Sequence, residues 1–109
     1  MQRFASVIGI EPGMIDQYRA LHAAVWPDVL RILSASHFTN YSIYLRQPEN
    51  LLFSYFEYTG KDFAADYRRM ADEPITREWW KLCSPCQRPL ASRQAGEWWA
   101  SMPEVFHLD

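Results

Sequence analysis

Two side chains able to exchange protons or bind polar ligands, Tyr18 and His22, lie one helical turn apart in the segment YRALHAAVWP. Residues four apart share a helix face, and Trp26 extends the same row. Apolar residues recur around this face at helical spacing, which predicts that it packs against the core. They are Ile15, Val25, Val29 and Leu33. A phenol and an imidazole in a core-facing row therefore indicate either a buried structural pair or the wall of a cavity.

His22 is the candidate for proton transfer. A single histidine on an apolar face is more often a core residue whose ring bonds to a carbonyl group. Tyr18 one turn earlier and Pro27 one turn later favour a cavity, because the proline should kink the helix just after His22 and loosen the packing there. An imidazole changes charge near neutral pH, so a histidine in a cavity can both give and take a proton.

The pair Trp79 and Trp80 poses a geometric question. Adjacent side chains on a helix point about 100° apart, so the two rings cannot enter one site in the core. One should pack and the other should line a pocket or a subunit contact, although two core tryptophans spanning a layer fit the sequence equally well. An indole face suits the C–H-rich face of a sugar. For Trp98 and Trp99, in a glycine-containing loop, we expect a dimer contact.

Tyr41 alternates with Ile43 and Leu45 along a predicted strand, so the three should share one face. If that face meets the first helix, the Tyr41 hydroxyl needs a buried partner, which a ligand or His22 could supply. The sequence has no glycine-rich phosphate loop, nucleophile elbow or paired-carboxylate cluster. The residues alone thus predict an aromatic cavity that contains a histidine, without naming a reaction.

The motif CSPC, Cys83 to Cys86, raises the question of redox or metal chemistry. A redox C-x-x-C opens a helix, where the helix N-terminus lowers the pKa of the thiol. Here the motif ends a predicted helix, near the negative pole, and a zinc site would need further ligands, of which the nearest histidine is His107. We expect a helix-terminating turn with two incidental thiols and no metal.

The elements that position these residues follow the order β-α-β-β-α-β. Strands are predicted over 3–10, 38–47 and 50–59, with a short terminal strand over 104–109. A helix that begins near 11 and ends near 36 follows the first strand, and two shorter helical segments follow the hairpin. This is the ferredoxin-like α+β arrangement, with helices on one face of an antiparallel sheet, in a single domain over 1–109. The other sheet face remains apolar and needs cover, so we expect a homodimer.

Composition and charge exclude several classes of partner. The 109 residues carry a net charge of −2, and lysines and arginines cluster only at Arg68 and Arg69, so we expect no nucleic acid. No apolar run is long enough to cross a bilayer and no targeting segment is evident, so we expect no membrane association and a cytoplasmic location. The chain contains 5 Trp, 6 Tyr and 6 Phe, which suit a pocket for a small amphipathic ligand such as a sugar.

Five segments resemble the L-rhamnose mutarotase family across nearly the whole chain and in the same order. They are YRALHAAVWPDVL, NYSIYL, NLLFSYFE, REWWK and EVFHLD. The resemblance implies a dimeric α+β barrel of the ferredoxin-like type that interconverts the α and β anomers of a 6-deoxy sugar without a metal or an organic cofactor. By position, His22 is similar to the catalytic acid/base of the family, and Tyr18, Tyr41, Trp79 and Trp80 are similar to its substrate contacts.

One segment departs from the family pattern. Members that act on L-rhamnose usually carry an Asn-Pro-Asp-like segment after the Trp-Trp helix, whereas this chain has CSPCQRPLASRQAGEWWASM. The sequence therefore predicts an L-rhamnose mutarotase, with an L-fucose mutarotase of the same family as the alternative. A haem-degrading or cofactor-free monooxygenase is the alternative from another class, since the dimeric α+β barrel hosts those enzymes as well.

Overall fold

One antiparallel sheet forms one layer of the protein, and four helices form the other. A computed structural model describes all residues, 1–109. The strands are β1 (Gln2–Ile10), β2 (Phe38–Arg46), β3 (Leu51–Tyr58), β4 (Gln87–Arg88) and β5 (Ala100–Met102). The helices are α1 (Ile15–Ala23), α2 (Pro27–Ala35), α3 (Phe63–Asp72) and α4 (Pro74–Cys83). None of these helices has the length and apolar character needed to span a membrane.

The strands are arranged in the order β2-β3-β1-β4, and β5 also pairs with β1. All pairings are antiparallel. The central position of β1 beside β3 follows from the β-α-β-β-α-β order, in which the hairpin β2–β3 packs against the first strand. The predicted ferredoxin-like α+β fold is confirmed.

The register of β1 with β3 decides which side chains meet the helices. Ile8 lies opposite Leu52, and both are buried with Ile15 and Tyr18 of α1 in the main apolar cluster. Because successive strand residues point to opposite faces, Val7 and its partner Phe53 lie on the other side of the sheet. That second face points away from the helices.

The first helical region is two helices, not the single kinked helix that the sequence predicted. Residues 24–26 are not helical, and Trp26 has extended backbone angles of φ −58° and ψ 134°. Pro27 is the first residue of α2, where its missing N–H would have no partner within the helix in any case. The proline therefore starts a new helix instead of bending an existing one.

The predicted terminal strand over 104–109 is wrong. Residues 103–109 have no regular structure, and the last pairing with β1 is made by Ala100–Met102. The pairing of β5 with β1 ends at Met102, and Pro103, which follows directly, has no backbone N–H with which to continue it. The apolar side chains of Val105, Phe106 and Leu108 are 95%, 79% and 79% exposed.

Gly9 lets β4 approach β1 closely. A Cβ atom at this position would lie 2.7 Å from the backbone oxygen of Arg88, too close for any side chain. Glycine therefore permits the short pairing that aligns Ile10 with Gln87. This pairing places the Gln87 side chain beside α1.

Candidate active site

Tyr18 and His22 form a stacked pair on α1. Their ring centroids are 4.2 Å apart and their planes differ by 12°. The predicted shared face is thus observed, and Tyr18 is buried within the apolar cluster beneath the sheet. His22 lies in the last turn of α1 and is only partly buried.

A backbone hydrogen bond fixes the tautomer of His22. Its Nδ1 lies 2.9 Å from the carbonyl oxygen of Tyr18, which can only accept, so Nδ1 carries the proton and donates. Nε2 is then the unprotonated nitrogen of the neutral ring. Burial lowers the pKa of His22 below its ordinary value of 6.5, and the hydrogen bond to Tyr18 offsets only part of that effect. His22 is therefore a neutral imidazole, suited to act as a base, at neutral pH.

A cavity of about 350 Å³ lies between α1 and the strands β2 and β3. This volume is within the range of small-ligand pockets. Most of its wall is apolar, and Tyr18 and His22 contribute its aromatic side chains on α1. The other lining residues are Ile10, Ile15, Arg19, Ile43, Tyr44, Leu45, Gln47 and Leu52. A cavity of this kind can hold a ring with a few polar groups directed at Arg19 and Gln47.

The remaining predicted contacts, Tyr41, Trp79 and Trp80, do not line this cavity. Trp79 makes an edge contact with His22, with ring centroids 5.5 Å apart and an angle of 66° between the planes. Tyr18, His22 and Trp79 are thus in one contiguous aromatic cluster. The structure brings these three together, whereas Tyr41 lies on β2 beside Phe56 and Trp80 stacks on Tyr67 of α3.

The two tryptophans of α4 have different environments, as their adjacency requires. Trp79 is 6% exposed and packs with Val29 and Cys83 in a second apolar cluster. Trp80 is partly buried and stacks on Tyr67 of α3 with a centroid distance of 6.2 Å. The division of one packed ring and one less buried ring matches the expectation from helix geometry.

Tyr41 lies on the helix side of the sheet with Ile43 and Leu45, as the alternation along β2 predicts. The register of β2 against β3 shifts between Thr39 and Ser42, and Asn40 adopts a left-handed conformation with φ 49°. The Tyr41 ring then lies 5.2 Å from that of Phe56. Tyr41 is 42% exposed, and desolvation raises the pKa of its hydroxyl to about 12.

Sequence reasoning missed the polar groups around Tyr18. Gln87 donates from Nε2 to the Tyr18 hydroxyl over 3.3 Å. Arg19 and Gln47 line the cavity itself. Arg19 could have been noted as the neighbour of Tyr18, but nothing in the sequence pairs Gln87 with a residue 69 positions earlier.

The CSPC motif forms the turn that follows α4, as the sequence predicted. Cys83 ends α4, a short 3₁₀ turn covers Ser84–Cys86, and both cysteines are free and buried. Burial raises the pKa of the Cys83 thiol to about 12 and also raises that of Cys86. No group of three or more His, Cys, Asp or Glu side chains is arranged to hold a metal ion.

Trp98 and Trp99, for which the sequence predicts a dimer contact, have different environments within the chain. Trp98 is 45% exposed and donates from Nε1 to Gln87 Oε1 over 2.8 Å. Trp99 packs against the main apolar cluster. At least one ring of this pair therefore has a role within the chain itself.

Comparison with solved structures places the fold among known proteins. An L-rhamnose mutarotase from Formosa agariphila superimposes with a TM-score of 0.79 at 20% identity, with full coverage of both chains. The tetracenomycin F2 cyclase from Streptomyces glaucescens superimposes with a TM-score of 0.74 at 12% identity, covering 100% of this chain and 98% of the cyclase. At these identities the likeness shows the shared fold.

Sequence comparison identifies the family. The family model described as L-rhamnose mutarotase matches residues 3–108. The L-rhamnose mutarotase of Listeria monocytogenes serotype 4b is 35% identical over 108 residues, which is 99% of each chain. That of Bacillus subtilis is 28% identical over the full length of both chains. The chain therefore belongs to the L-rhamnose mutarotase family.

Proposed function

We propose that the protein is a mutarotase that interconverts the α and β anomers of a 6-deoxy-L-sugar, with L-rhamnose as its substrate and His22 as its acid/base. One observation supports this most strongly: the Tyr18 carbonyl holds the Nδ1 proton of His22, so Nε2 is left as a base at the wall of the cavity. The names of the relatives support the choice of sugar.

The chemistry requires two proton transfers around the anomeric carbon. The Nε2 of His22 takes the proton of the anomeric hydroxyl while the bond between C1 and the ring oxygen breaks, and water supplies the proton that the ring oxygen gains. The open-chain aldehyde rotates about its C1–C2 bond. On closure, the ring oxygen returns its proton to water and the imidazolium gives its proton to the new anomeric oxygen. An imidazole suits both directions because it can accept a proton in one step and donate it in the next.

We further propose that the reaction needs no metal and no organic cofactor. Ring opening and closure change no oxidation state, and each step moves only protons and one C–O bond. The proton carrier is His22, and the buried Tyr18 beside it supplies a hydroxyl for binding the sugar. The proposal thus assigns all of the chemistry to side chains of α1 and to water.

Two observations support further contacts with the substrate: the resemblance of the motifs to those of the family, and the packing around His22. Tyr41, Trp79 and Trp80 are proposed as substrate contacts on the side of His22 that faces α4. Trp79 is in edge contact with the imidazole, and Trp80 stacks with Tyr67 at the less buried end of the row. The sugar would contact these rings by extending from the cavity past His22.

The identity of the sugar is tested by saturation-transfer NMR, which measures anomer exchange directly. L-Rhamnose, L-fucose and D-glucose are compared with and without the protein under identical buffer conditions. We expect exchange to be accelerated for L-rhamnose. A larger acceleration for L-fucose would select the alternative sugar, and no acceleration for any of the three would refute the proposed reaction.

A control experiment distinguishes the proposed mutarotase from the monooxygenase alternative. The purified protein is titrated with haem and its absorption spectrum is recorded. A mutarotase should give the spectrum of free haem, whereas a haem-degrading enzyme should give the shifted Soret band of an axially bound iron. The same samples are assayed for anomer exchange, so that the two functions are measured on one preparation.

We propose that the protein is a homodimer. The sheet face that carries Val7 and Phe53 points away from the helices of its own chain. The apolar tail beyond β5 is also uncovered, with Phe106 79% exposed. Arg3 of β1 donates from Nε to the Glu104 carboxylate over 2.8 Å, which holds the start of the tail beside β1. Apolar surface of this extent is typical of an interaction site.

Light scattering coupled to size exclusion tests the dimer. The wild-type chain has a mass of 12.9 kDa, so the dimer should elute at twice that value. We expect Val7→Glu to shift the protein towards the monomer, and Ser34→Glu, at an exposed residue of α2 in the helix layer, to serve as the control. A monomeric wild-type protein at micromolar concentration would refute the proposal. We also propose a cytoplasmic location, which suits two free cysteines.

A further inference from the structure

A chain of hydrogen bonds connects the segment after β4 with the proposed active site. Trp98 Nε1 donates to Gln87 Oε1 over 2.8 Å, and Gln87 Nε2 donates to the Tyr18 hydroxyl over 3.3 Å. Gln87 is partly buried in the short strand β4, which Gly9 allows to lie against β1. The side chain of Gln87 is therefore held at both ends.

The indole of Trp98 determines which group donates and which accepts in each of these hydrogen bonds. An indole nitrogen is only a donor, so the oxygen end of the Gln87 amide must face Trp98. The NH₂ end then faces Tyr18, whose hydroxyl oxygen accepts. A hydroxyl that accepts one bond keeps its own proton free to donate elsewhere. The arrangement leaves the Tyr18 O–H available as a hydrogen-bond donor.

We propose that Gln87 is a positioning residue that, oriented by Trp98, makes the Tyr18 hydroxyl a hydrogen-bond donor to the sugar. This inference rests on the proposed function. Tyr18 lines the cavity and Gln87 does not, so Gln87 acts on the sugar through Tyr18. The acceptor on the sugar is a ring or hydroxyl oxygen.

The proposal gives the segment between β4 and β5 a role in substrate recognition. Trp98 belongs to this segment, which is mostly exposed and departs from the usual sequence of the family. Its indole determines which end of Gln87 meets Tyr18. Changes in this segment can therefore alter the hydrogen bonding of the sugar without touching the cavity wall.

The variant Gln87→Glu tests the donor and acceptor roles in these hydrogen bonds with almost no change in the shape of the side chain. A carboxylate oxygen still accepts from Trp98, but its other oxygen accepts from the Tyr18 O–H and withdraws that proton from the sugar. We expect kcat/KM for L-rhamnose to fall about 3- to 10-fold, the usual range for one hydrogen bond between neutral groups. Tyr18→Phe should give a similar loss, and Gln17→Glu, an exposed glutamine of α1, controls for the added charge.

The double variant separates positioning from a general structural role. If Gln87 acts only through Tyr18, then Gln87→Glu causes no additional loss of kcat/KM in the Tyr18→Phe background. Equal losses in both backgrounds, or an unchanged kcat/KM in Gln87→Glu, would overturn the inference while the proposed function stands.

A second measurement does not depend on activity. The ¹³Cζ chemical shift of labelled Tyr18 is recorded by NMR at neutral pH, and Gln87→Glu should change it because the phenol then donates to a carboxylate instead of accepting from an amide. An unchanged chemical shift would overturn the inference even if no anomer exchange were detected. Loss of exchange in the wild type would instead refute the proposed function alone.

Discussion

His22 and Tyr18 are joined twice, by stacked rings 4.2 Å apart and by a hydrogen bond of 2.9 Å from the imidazole Nδ1 to the backbone carbonyl. The second contact is possible because the two residues are four apart on α1, where the carbonyl of one lies beside the side chain of the other. One residue of the pair therefore sets the tautomer of its neighbour. The position and the protonation state of the base have the same local origin.

The pH dependence of anomer exchange should reflect this environment. Burial lowers the pKa of His22, so the neutral, basic form persists to a lower pH than in a free histidine. The acidic limb of kcat/KM is therefore expected below pH 6.5. Rates are measured at low buffer concentration and corrected for spontaneous exchange. An acidic limb above pH 6.5 would contradict the assignment of His22 as the base.

Trp79 should contribute mainly to stability. It is 6% exposed in the cluster with Val29 and Cys83, so Trp79→Ala is expected to cost about 3–5 kcal/mol of unfolding free energy. Trp80→Ala, at the less buried neighbouring position, is the matched control and should cost less. Urea denaturation measures both. Equal losses would show that the two rings are packed alike.

Sugar binding should perturb the fluorescence of the tryptophans near His22. Trp79→Phe and Trp80→Phe keep an aromatic ring and are compared with the wild type during titration with L-rhamnose. At least one of them is expected to bind more weakly. Unchanged affinity in both variants would remove α4 from the proposed site and leave the cavity beside α1 as the whole of it.

The two cysteines should be unreactive in the folded protein. Both are buried and burial raises the pKa of each thiol, so little thiolate is present at pH 7.5. We expect slow reaction with Ellman's reagent in native buffer and rapid reaction of two thiols after unfolding. Fast modification of the native protein, with loss of activity that a reductant restores, would indicate a redox role for CSPC.

Acid should destabilise the fold through Asp66. The Tyr58 hydroxyl and Arg69 both donate to its carboxylate, and the bond from Tyr58 is the main cause of its lowered pKa. A lowered folded pKa stabilises the protein above the usual value of 3.8, and this stabilisation is lost as the pH falls through the folded pKa. Tyr58→Phe should reduce the change in unfolding free energy between pH 5 and pH 2. An unchanged pH dependence would exclude this contact as its source.

Local patterns predicted most of the fold. The alternation over 3–10 and 38–47 identified β1 and β2, because one face of each strand is buried by the helices. The two wrong predictions both lie at a proline, whose effect depends on the backbone around it. Pro27 could bend a helix or start one, and the extended backbone at Trp26 makes it a start. The tail over 104–109 has the composition of a strand, but Pro103 precedes it and has no N–H with which to continue the pairing of β5 with β1.

The candidate site was predictable only in part. The spacing of Tyr18 and His22 on one helix is a local property, and so is the divergence of Trp79 and Trp80. The contact between Gln87 and Tyr18 is a tertiary property, and so is the placement of Arg19 and Gln47 in the cavity wall. No periodicity in the sequence records them.

The most direct test of the central claim is anomer exchange by His22→Ala, measured by saturation transfer on L-rhamnose. The matched control is His37→Asn, because His37 is exposed at the start of β2 and asparagine tolerates its left-handed φ of 70°. Circular dichroism confirms that both variants fold. The account predicts that His22→Ala loses about 10²–10⁴-fold in rate and that His37→Asn retains the wild-type rate. A folded His22→Ala that exchanges anomers as fast as the wild type would contradict it.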